Sequence, residues 1–360
     1  MPIEVYRWRV KESIQNFAVY QPETGNRKPA SVIDSMKKST YPLLLLTLLL
    51  AGGCAWFQPK NQKKESAAAP KKVEGRCTAG DCQNGQGTWL YDDGNRYEGS
   101  FAAGKPSGNG TLFLPSGSRY EGSFKYGQYD GAGYVLFADG TDAECERGNC
   151  VTGRGILLWP DGTRYSGEFK NEIREGFGGI EYDDGTTYSG KFANNGYNGE
   201  GTLTLADGTE YRGEFKNGLF NGEMRVSFPS KHQYLGQFKN GKVVTDQGRV
   251  TFPNNSRGTC VEGNCIDGEG TLQLDDGSVY SGQFLGCSRH GRGTYTFAGG
   301  SKYEGEYRAG KHHGHGVFTF ASGVRYEGTF KDGKRHGEGV FTFPNGHTRK
   351  VLFIDGEMQK

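Results

Sequence analysis

Residues 326–339 read YEGTFKDGKRHGEG, and variants of this stretch recur along most of the chain. Alternate residues of a β-strand share one face, so Tyr326, Gly328 and Phe330 are expected to point the same way. The glycine leaves a gap between the two rings, which an aromatic ring of the neighbouring strand can cover. We therefore predict that the two aromatic residues of each copy form the core of a repeated strand.

Nine copies of this aromatic pair occur in the sequence. The predicted core residues are Tyr97 and Phe101, Tyr120 and Phe124, Tyr165 and Phe169, Tyr188 and Phe192, Tyr211 and Phe215, Tyr234 and Phe238, Tyr280 and Phe284, Tyr303 and Tyr307, and Tyr326 and Phe330.

A Gly-x-Gly step sets the period of the chain. It recurs every 23 residues, with single slips to 22 or 24, and twelve units fill residues 75–350. A fixed period of this length indicates a repeat architecture. Units 7 and 8 are degenerate copies. We number units 1 to 12 by the residue that opens the step: Gly85, Gly108, Gly131, Gly153, Gly176, Gly199, Gly222, Asp246, Gly268, Gly291, Gly314 and Gly337.

Each unit is predicted to be a β-hairpin. Alternating stretches such as TLTL at 202–205 are followed in six units by Asp-Gly, which indicates a tight turn whose two central residues accept positive φ. Two strands per unit at about 4.8 Å each give about 10 Å per unit, hence a curved ribbon of roughly 115 Å. The Asp-Gly pairs begin at Asp93, Asp139, Asp161, Asp184, Asp207 and Asp276.

The composition excludes several other classes of protein. Sixty of 360 residues are glycine, which disfavours long helices because an interior glycine costs a helix about 1 kcal/mol. Aromatic residues make up 13% of the chain, whereas disordered chains are poor in them. Collagen is excluded because the glycines do not fall at every third position.

The stretch at 326–339 closely resembles the MORN repeat, whose pattern is roughly Tyr-x-Gly-x-Trp/Phe-x-x-Gly-Lys-x-x-Gly-x-Gly. The resemblance covers residues 75–350 and implies an all-β fold, an elongated single-layer β-solenoid of stacked hairpins, with residues 351–360 as a C-terminal cap or tail. It also implies a structural or protein-binding platform, and some arrays of this family have been proposed to contact phospholipids.

The front of the chain has the anatomy of a targeting signal. Residues 36–53 combine two lysines, a short apolar run and small residues, which is typical of a signal peptide and too short for a membrane span. The small residues end at Cys54, which resembles the lipid-attachment site of bacterial lipoproteins, although Ala51 stands where leucine is usual. The alternative is a plain secretory signal.

Residues 1–35 do not fit this signal. They are interpreted as an N-terminal extension from a wrong start codon, or as disordered, with a cytoplasmic extension on a signal anchor as the alternative. Residues 54–74 are rich in Lys, Ala and Pro and are predicted to be a flexible, lipid-anchored tether. The expected location is the bacterial cell envelope. Because Ala55, not aspartate, follows Cys54, the outer membrane is favoured over the inner.

Six of the eight cysteines form three Cys-x-x-x-x-Cys pairs in units 1, 4 and 9, where the aromatic pair is missing. Export to an oxidising compartment favours three local disulfides in place of the rings, with reduced thiols as an alternative. A shared zinc site is disfavoured because the nearest pairs lie about 30 Å apart along the ribbon. Cys287 is left as a buried or free thiol or an intermolecular bridge. The predicted disulfides are Cys77–Cys82, Cys145–Cys150 and Cys260–Cys265.

The histidines are the strongest candidates for metal ligands. His290, His313 and His336 recur at the unit period and are predicted to form a structural ladder about 10 Å apart, too far apart for one metal. His312, His313 and His315 form a locally richer cluster, which would bind a divalent metal only weakly. The sequence therefore predicts no metal site and no cofactor.

No catalytic motif stands out, and the regularly spaced glutamates are interpreted as a solvated outer face. We expect a protein without enzymatic activity. Beyond the tether the chain has a net charge of about −4, so it lacks the excess of basic residues that is typical of nucleic-acid-binding proteins. The expected function is a scaffold for unidentified protein partners, recognised through variable loops such as 105–107 and 219–221. The alternative is direct binding of phospholipid or an envelope glycan by the repeat face.

Overall fold

The computed structural model describes residues 74–244 and 247–359, and these ranges contain strands and turns but no helix. The expectations for residues 1–35, for the signal peptide at 36–53, for Cys54 and for the tether up to residue 73 fall outside the described residues. Asp246, which opens the step of unit 8, falls outside them as well.

The strands of units 1 to 6 are β1 (Gly75–Gly80), β2 (Gln86–Tyr91), β3 (Arg96–Ala102), β4 (Lys105–Phe113), β5 (Arg119–Lys125), β6 (Gln128–Leu136), β7 (Asp142–Gly148), β8 (Gly153–Leu158), β9 (Arg164–Lys170), β10 (Ile173–Glu181), β11 (Thr187–Ala193) and β12 (Gly196–Thr204).

The remaining strands are β13 (Glu210–Lys216), β14 (Leu219–Ser227), β15 (Gln233–Lys239), β16 (Lys242–Val243), β17 (Gly248–Thr251), β18 (Arg257–Gly263), β19 (Gly268–Leu274), β20 (Val279–Leu285), β21 (Ser288–Thr296), β22 (Lys302–Arg308), β23 (Lys311–Thr319), β24 (Arg325–Lys331), β25 (Lys334–Thr342), β26 (Thr348–Ile354) and β27 (Glu357–Met358).

All 27 strands belong to one open antiparallel sheet. Strands pair with their neighbours in the chain, within a unit as in β3–β4 and between units as in β4–β5. The exception is β15, which pairs with both β16 and β17. The predicted all-β ribbon of hairpins joined edge to edge is confirmed. Strand β26 runs across the boundary expected between residues 350 and 351.

The two kinds of turn in each unit differ from the prediction. The Asp-Gly turns are three-residue loops: in the first of them the N–H of Gly94 donates to Tyr91, and only the glycine has positive φ. The aspartate instead uses its carboxylate to accept the N–H two residues on, as Asp207 does from Thr209 at 2.8 Å. Two consecutive residues with positive φ occur at the other turn of the unit, as at Asn217 and Gly218.

The two glycines of the Gly-x-Gly step are required for different structural reasons. The first takes positive φ, as at Gly199, where the β11–β12 register shifts by a bulge. The second, Gly201 in the same unit, has no room for a Cβ because the ring of Tyr188 lies against it. Glycine is therefore required once for backbone conformation and once for close approach.

The ring that covers the gap was expected from the neighbouring strand, and this was wrong. The ring of Tyr188 folds over Gly190 of its own strand and reaches Gly201 on the next strand. Its hydroxyl donates to the carbonyl of Lys191 at 3.0 Å, which satisfies a polar group in a buried place. The same hydrogen bond, to the residue three positions on, is made by Tyr97, Tyr165, Tyr280 and Tyr303.

Rings also connect adjacent units. Tyr188 makes edge-on contacts with Phe192 of its own unit at 5.2 Å and with Phe215 of the next unit at 5.1 Å. The core is thus a continuous row along one face of the sheet, which we call the ring face, and we call the opposite face the open face. In such an array each unit is stabilised chiefly by its nearest neighbours.

Candidate functional site

The predicted core aromatics lie on the ring face, and all but one are buried. The exception, Tyr211, is half-exposed and stacks on Phe220 at 4.6 Å. The physical reason is Met224, which stands where other units have the second glycine and whose fully buried side chain fills the place of the tyrosine ring.

The cysteine pairs form three disulfides within their own units, Cys77–Cys82, Cys145–Cys150 and Cys260–Cys265. In unit 4, Ala143 stands at the tyrosine position and Cys145 at the position of the glycine that follows it. A Cβ placed on Gly155 would lie 2.8 Å from Cys150 Sγ. The sulfur therefore occupies the place over the second glycine that a ring occupies elsewhere.

Residues three units apart meet across the disulfide units 4 and 9. Across unit 4, the hydroxyl of Ser116 donates to the Glu172 carboxylate at 2.9 Å. Across unit 9, a Cβ on Gly286 would lie 3.5 Å from the Phe228 ring. In both places, the loop that ends one unit contacts the turn between the two strands of the unit three positions later. The ribbon curves strongly at both places, which the sequence did not indicate.

Cys287 belongs to the second of these contacts. It follows Gly286 in the turn with positive φ, is fully buried, and forms no disulfide. Burial raises the pKa of its thiol, and the negative charge of Asp267 adds to this. The burial of Cys287 argues against an intermolecular bridge through its sulfur, and the side chain packs within the buried apolar core.

Two of the three histidines of the predicted ladder lie near a carboxylate of the hairpin that follows. His313 Nδ1 lies 3.9 Å from the Asp332 carboxylate. His336 Nδ1 accepts the backbone N–H of Asp355 at 3.2 Å and lies 3.3 Å from its carboxylate. Within residues 74–244 and 247–359 no group of three or more His, Cys, Asp or Glu side chains could hold a metal ion. His312 instead stacks on Tyr303 at 3.7 Å, and burial lowers its pKa to about 4.

The open face carries the regularly spaced charged residues predicted from the sequence. Arginine and glutamate two residues apart form exposed ion pairs, as in Arg119–Glu121 at 2.6 Å and Arg325–Glu327 at 2.9 Å. Such exposed pairs contribute little to stability, about 0–1 kcal/mol each. They mark a solvated surface that is available to a partner.

Two shallow grooves run across this open face. The one over units 2 to 4 has a volume of about 740 Å³. Tyr134 protrudes into it, 59% exposed, and lies opposite Glu121 on one neighbouring strand and Glu144 on the other. The second groove, of about 580 Å³, crosses units 9 to 11 and is lined by Glu269, Arg292 and Glu304 among others. These grooves were not found by sequence reasoning.

A third surface that sequence reasoning missed lies on the ring face of units 10 to 12. Six rings from three consecutive units lie along this face, and we call them the aromatic strip. The signal in the sequence is the triplet YTF, FTF, FTF. The strip consists of Tyr295, Phe297, Phe318, Phe320, Phe341 and Phe343.

No helix long and apolar enough to span a membrane occurs among the described residues.

A family model described as the MORN repeat matches ten segments of the chain. The matched residues are 83–96, 97–119, 120–142, 152–164, 165–187, 188–210, 211–223, 280–302, 303–325 and 326–348. They leave out all three disulfide-bonded loops. They also leave out residues 224–279, which hold unit 8 and the disulfide unit 9. No curated protein matches the chain in sequence.

Solved structures with distant likeness include the TCP10 domain of CPAP from Danio rerio in complex with a STIL peptide. It is 12% identical, with a TM-score of 0.22, over 74% of this chain and 98% of that one. The TCP domain of SAS-4 from Drosophila melanogaster, with a proline-rich motif of Ana2, is 13% identical at a TM-score of 0.17, over 60% and 97% of the two chains. A streptogramin B lyase is 12% identical at 0.13, over 74% and 76%. Likeness at this level carries no argument about function.

Proposed function

This chain belongs to the MORN repeat family, and from that premise we propose that it is a non-enzymatic, lipid-anchored platform that binds other proteins along its repeats. The observation that carries the proposal is the unbroken sheet. Units 1 to 12 present a solvated open face with shallow grooves, while most of the tyrosines are packed as core. Such a surface offers area for recognition rather than an enclosed site for chemistry.

The lipid anchor belongs to the same proposal. A lipid on Cys54 and a tether up to residue 74 would hold the repeats close to an envelope membrane while leaving both faces free. The substitution Cys54→Ser should abolish metabolic labelling with palmitate and release the protein from the membrane fraction. Membrane association without labelling would instead support a signal anchor.

The platform is tested by cross-linking in intact cells. The tagged full-length protein should yield a reproducible protein adduct whose cross-linked peptides map to a contiguous group of units. Deletion of units 5 and 6 as whole units keeps the period of the sheet and serves to locate the site. Absence of any protein adduct at native abundance would contradict the platform function.

A second candidate function, glycan binding, is favoured by Tyr134. An exposed ring between two carboxylates combines a stacking surface with hydrogen-bond acceptors for sugar hydroxyls. If the groove binds sugar, Tyr134→Ala should abolish sedimentation of the protein with purified peptidoglycan. Tyr126→Ala, which removes a more exposed ring outside the groove, should leave it unchanged.

A further inference from the structure

We propose that the aromatic strip binds an extended, acidic segment of a partner protein, in which an apolar residue recurs at every third position. The proposal rests on the platform function and names both the end of the ribbon that is used and the chemistry of the partner.

The strip is continuous over three units. Ring centroids lie 4.6 Å apart from Tyr295 to Phe297, 5.7 Å from Phe297 to Phe318 and 4.8 Å from Phe318 to Phe320. The guanidinium of Arg335 connects the next unit, because its Cζ lies 5.4 Å from the ring centres of both Phe320 and Phe341.

Two of the six rings are less covered than the residues at the same position in the middle of the ribbon. Positions that hold fully buried residues in the middle of the ribbon, such as Leu157 and Val226, hold the part-exposed Phe318 and Phe341 in units 11 and 12. Because Phe318 and Phe341 are less covered than their counterparts, units 11 and 12 present apolar surface that an occupant can cover.

Cations share this face with the rings, and carboxylates do not. Arg289 lies 4.8 Å from the Tyr295 ring, and Arg349 is exposed opposite Phe341. Neither these two arginines nor Arg335 forms an ion pair with any carboxylate among the residues that the structure describes. The carboxylates of residues 280–359 fall on the open face or in the turns at the far edge: Glu304, Glu306, Glu327, Asp332, Glu338, Asp355 and Glu357.

The positive charge of the repeats is concentrated at the end that carries the aromatic strip. Residues 74–279 carry 19 basic and 29 acidic residues, a net of −10, while residues 280–360 carry 12 and 7, a net of +5. Six of the seven histidines also lie in the second range. The Asp-Gly loops of earlier units are replaced there by AGG, ASG and PNG. An acidic partner would be attracted to this end and repelled by the rest of the ribbon.

The spacing of the rings selects an extended ligand. Equivalent rings recur once per unit, that is, every two strands or about 10 Å. A segment in polyproline II conformation rises about 9.3 Å in three residues, so every third side chain would meet the next ring. Residues between these contacts would face solvent or the three arginines, where Asp and Glu gain charge-assisted hydrogen bonds.

A protein segment fits this strip better than a bilayer does. Phe297 and Phe320 are half-buried against the sheet rather than projecting from loop tips, so their rings can be covered by a peptide but cannot insert deeply into a bilayer. The loop residues that follow, such as Ala298 and Gly299, carry no basic group that would bind lipid headgroups.

The test uses the purified full-length chain and a fluorescent peptide of four Glu-Leu-Pro triplets, followed by anisotropy. We expect saturable binding that Arg335→Met weakens about tenfold and Arg349→Gln about threefold, since each loses a charge-assisted contact. Arg335→Met keeps the apolar stem over the rings, and Arg349 is exposed, so both variants should fold. Arg212→Gln, an exposed arginine on the open face, is the matched control and should bind normally.

Other probes separate the alternatives. A Lys-Leu-Pro peptide and a Glu-Gly-Ser peptide of the same length should both fail to bind. The proposal is overturned if the acidic peptide does not bind, or if Arg212→Gln weakens it as much as Arg335→Met does. Binding of phosphatidylglycerol vesicles or of single-stranded DNA that depends on Arg335, without peptide binding, would also overturn it.

Failure of this proposal can be told apart from failure of the platform. If the cross-linked partner found in cells is retained by both Arg335→Met and Arg349→Gln, the aromatic strip is not its site, and the platform function stands. If no partner is found at all, the platform function fails first.

Discussion

Units closed by a tyrosine ring and units closed by a disulfide solve the same packing problem in different ways. In unit 6 the ring of Tyr188 lies over Gly201, whereas in unit 4 the sulfur of Cys150 lies over Gly155. The ring also contacts an aromatic residue of the next unit, while the disulfide closes only a short loop of its own. Ring units are therefore coupled to their neighbours, and disulfide units are held internally, two of them at places where residues three units apart meet.

The largest effect should follow from removing a ring. Tyr188→Ala should destabilise the protein by about 3–5 kcal/mol, because a fully buried aromatic is lost together with contacts to two units. Hydrogen exchange should accelerate in β11 to β13, on both sides of the change. The control is Tyr126→Ala, an exposed ring, which should leave exchange unchanged. Faster exchange confined to β11 and β12 would contradict the coupling between units.

Removing a disulfide should cost less and act more locally. Cys145→Ala with Cys150→Ala should destabilise by about 2 kcal/mol, as expected for closure of a short loop. Exchange should accelerate in β7 and β8, measured in the presence and absence of a reducing agent. The reducing agent should reproduce the effect in the natural chain and add nothing at unit 4 in the variant. If exchange accelerated equally in units 3 and 5, a disulfide would couple neighbouring units as strongly as a tyrosine ring does, which would contradict the comparison.

Within the ring units, His312 should add a dependence on pH. It stacks on Tyr303 as Tyr197 stacks on Tyr188, both at 3.7 Å, but burial lowers its pKa from 6.5 to about 4. The neutral form is favoured when folded, so its stabilisation is complete above pH 6.5 and is lost as the pH falls from 6.5 towards 4. With its partial exposure discounted, the loss should be about 1–2 kcal/mol.

The comparison for this residue is His312→Tyr, which reproduces the pair seen in unit 6. Urea unfolding monitored through β22 and β23 at pH 7 and at pH 4.5 should show that the natural chain loses stability at the lower pH. The variant should lose less. An identical loss in both would assign the pH dependence to other groups.

The smallest effect concerns the loops, which ring and disulfide units share. Asp207→Ala should destabilise by about 0.5–1 kcal/mol, because the N–H of Thr209 loses the carboxylate that accepts it at 2.8 Å. Asp183→Ala, at a loop position that does not accept this hydrogen bond, should change the stability by less than about 0.5 kcal/mol in the same thermal melts. Equal effects would mean that the net charge of the loops, rather than the hydrogen bond, is responsible.

Several details of the repeat could not be predicted from the sequence, each for a physical reason. Periodicity placed Tyr188 and Gly190 on one face, but it did not indicate that a tyrosine folds over its own strand. Asp-Gly is compatible with more than one hairpin turn, so the loop type depended on its hydrogen bonds. Tyr211 matches the repeat motif, but its ring is not buried like the others. Met224 on the neighbouring strand fills the position that the ring would occupy, and the motif does not include that residue.

The sequence by itself determined the strands, their order and their pairing. With a period of 23 residues and alternating faces, each hairpin can satisfy its backbone only by pairing with the next one. What the tertiary structure decided is which units meet beyond their nearest neighbours. The contacts Ser116–Glu172 and Phe228–Gly286 join units three apart and depend on accumulated curvature, which no local pattern encodes.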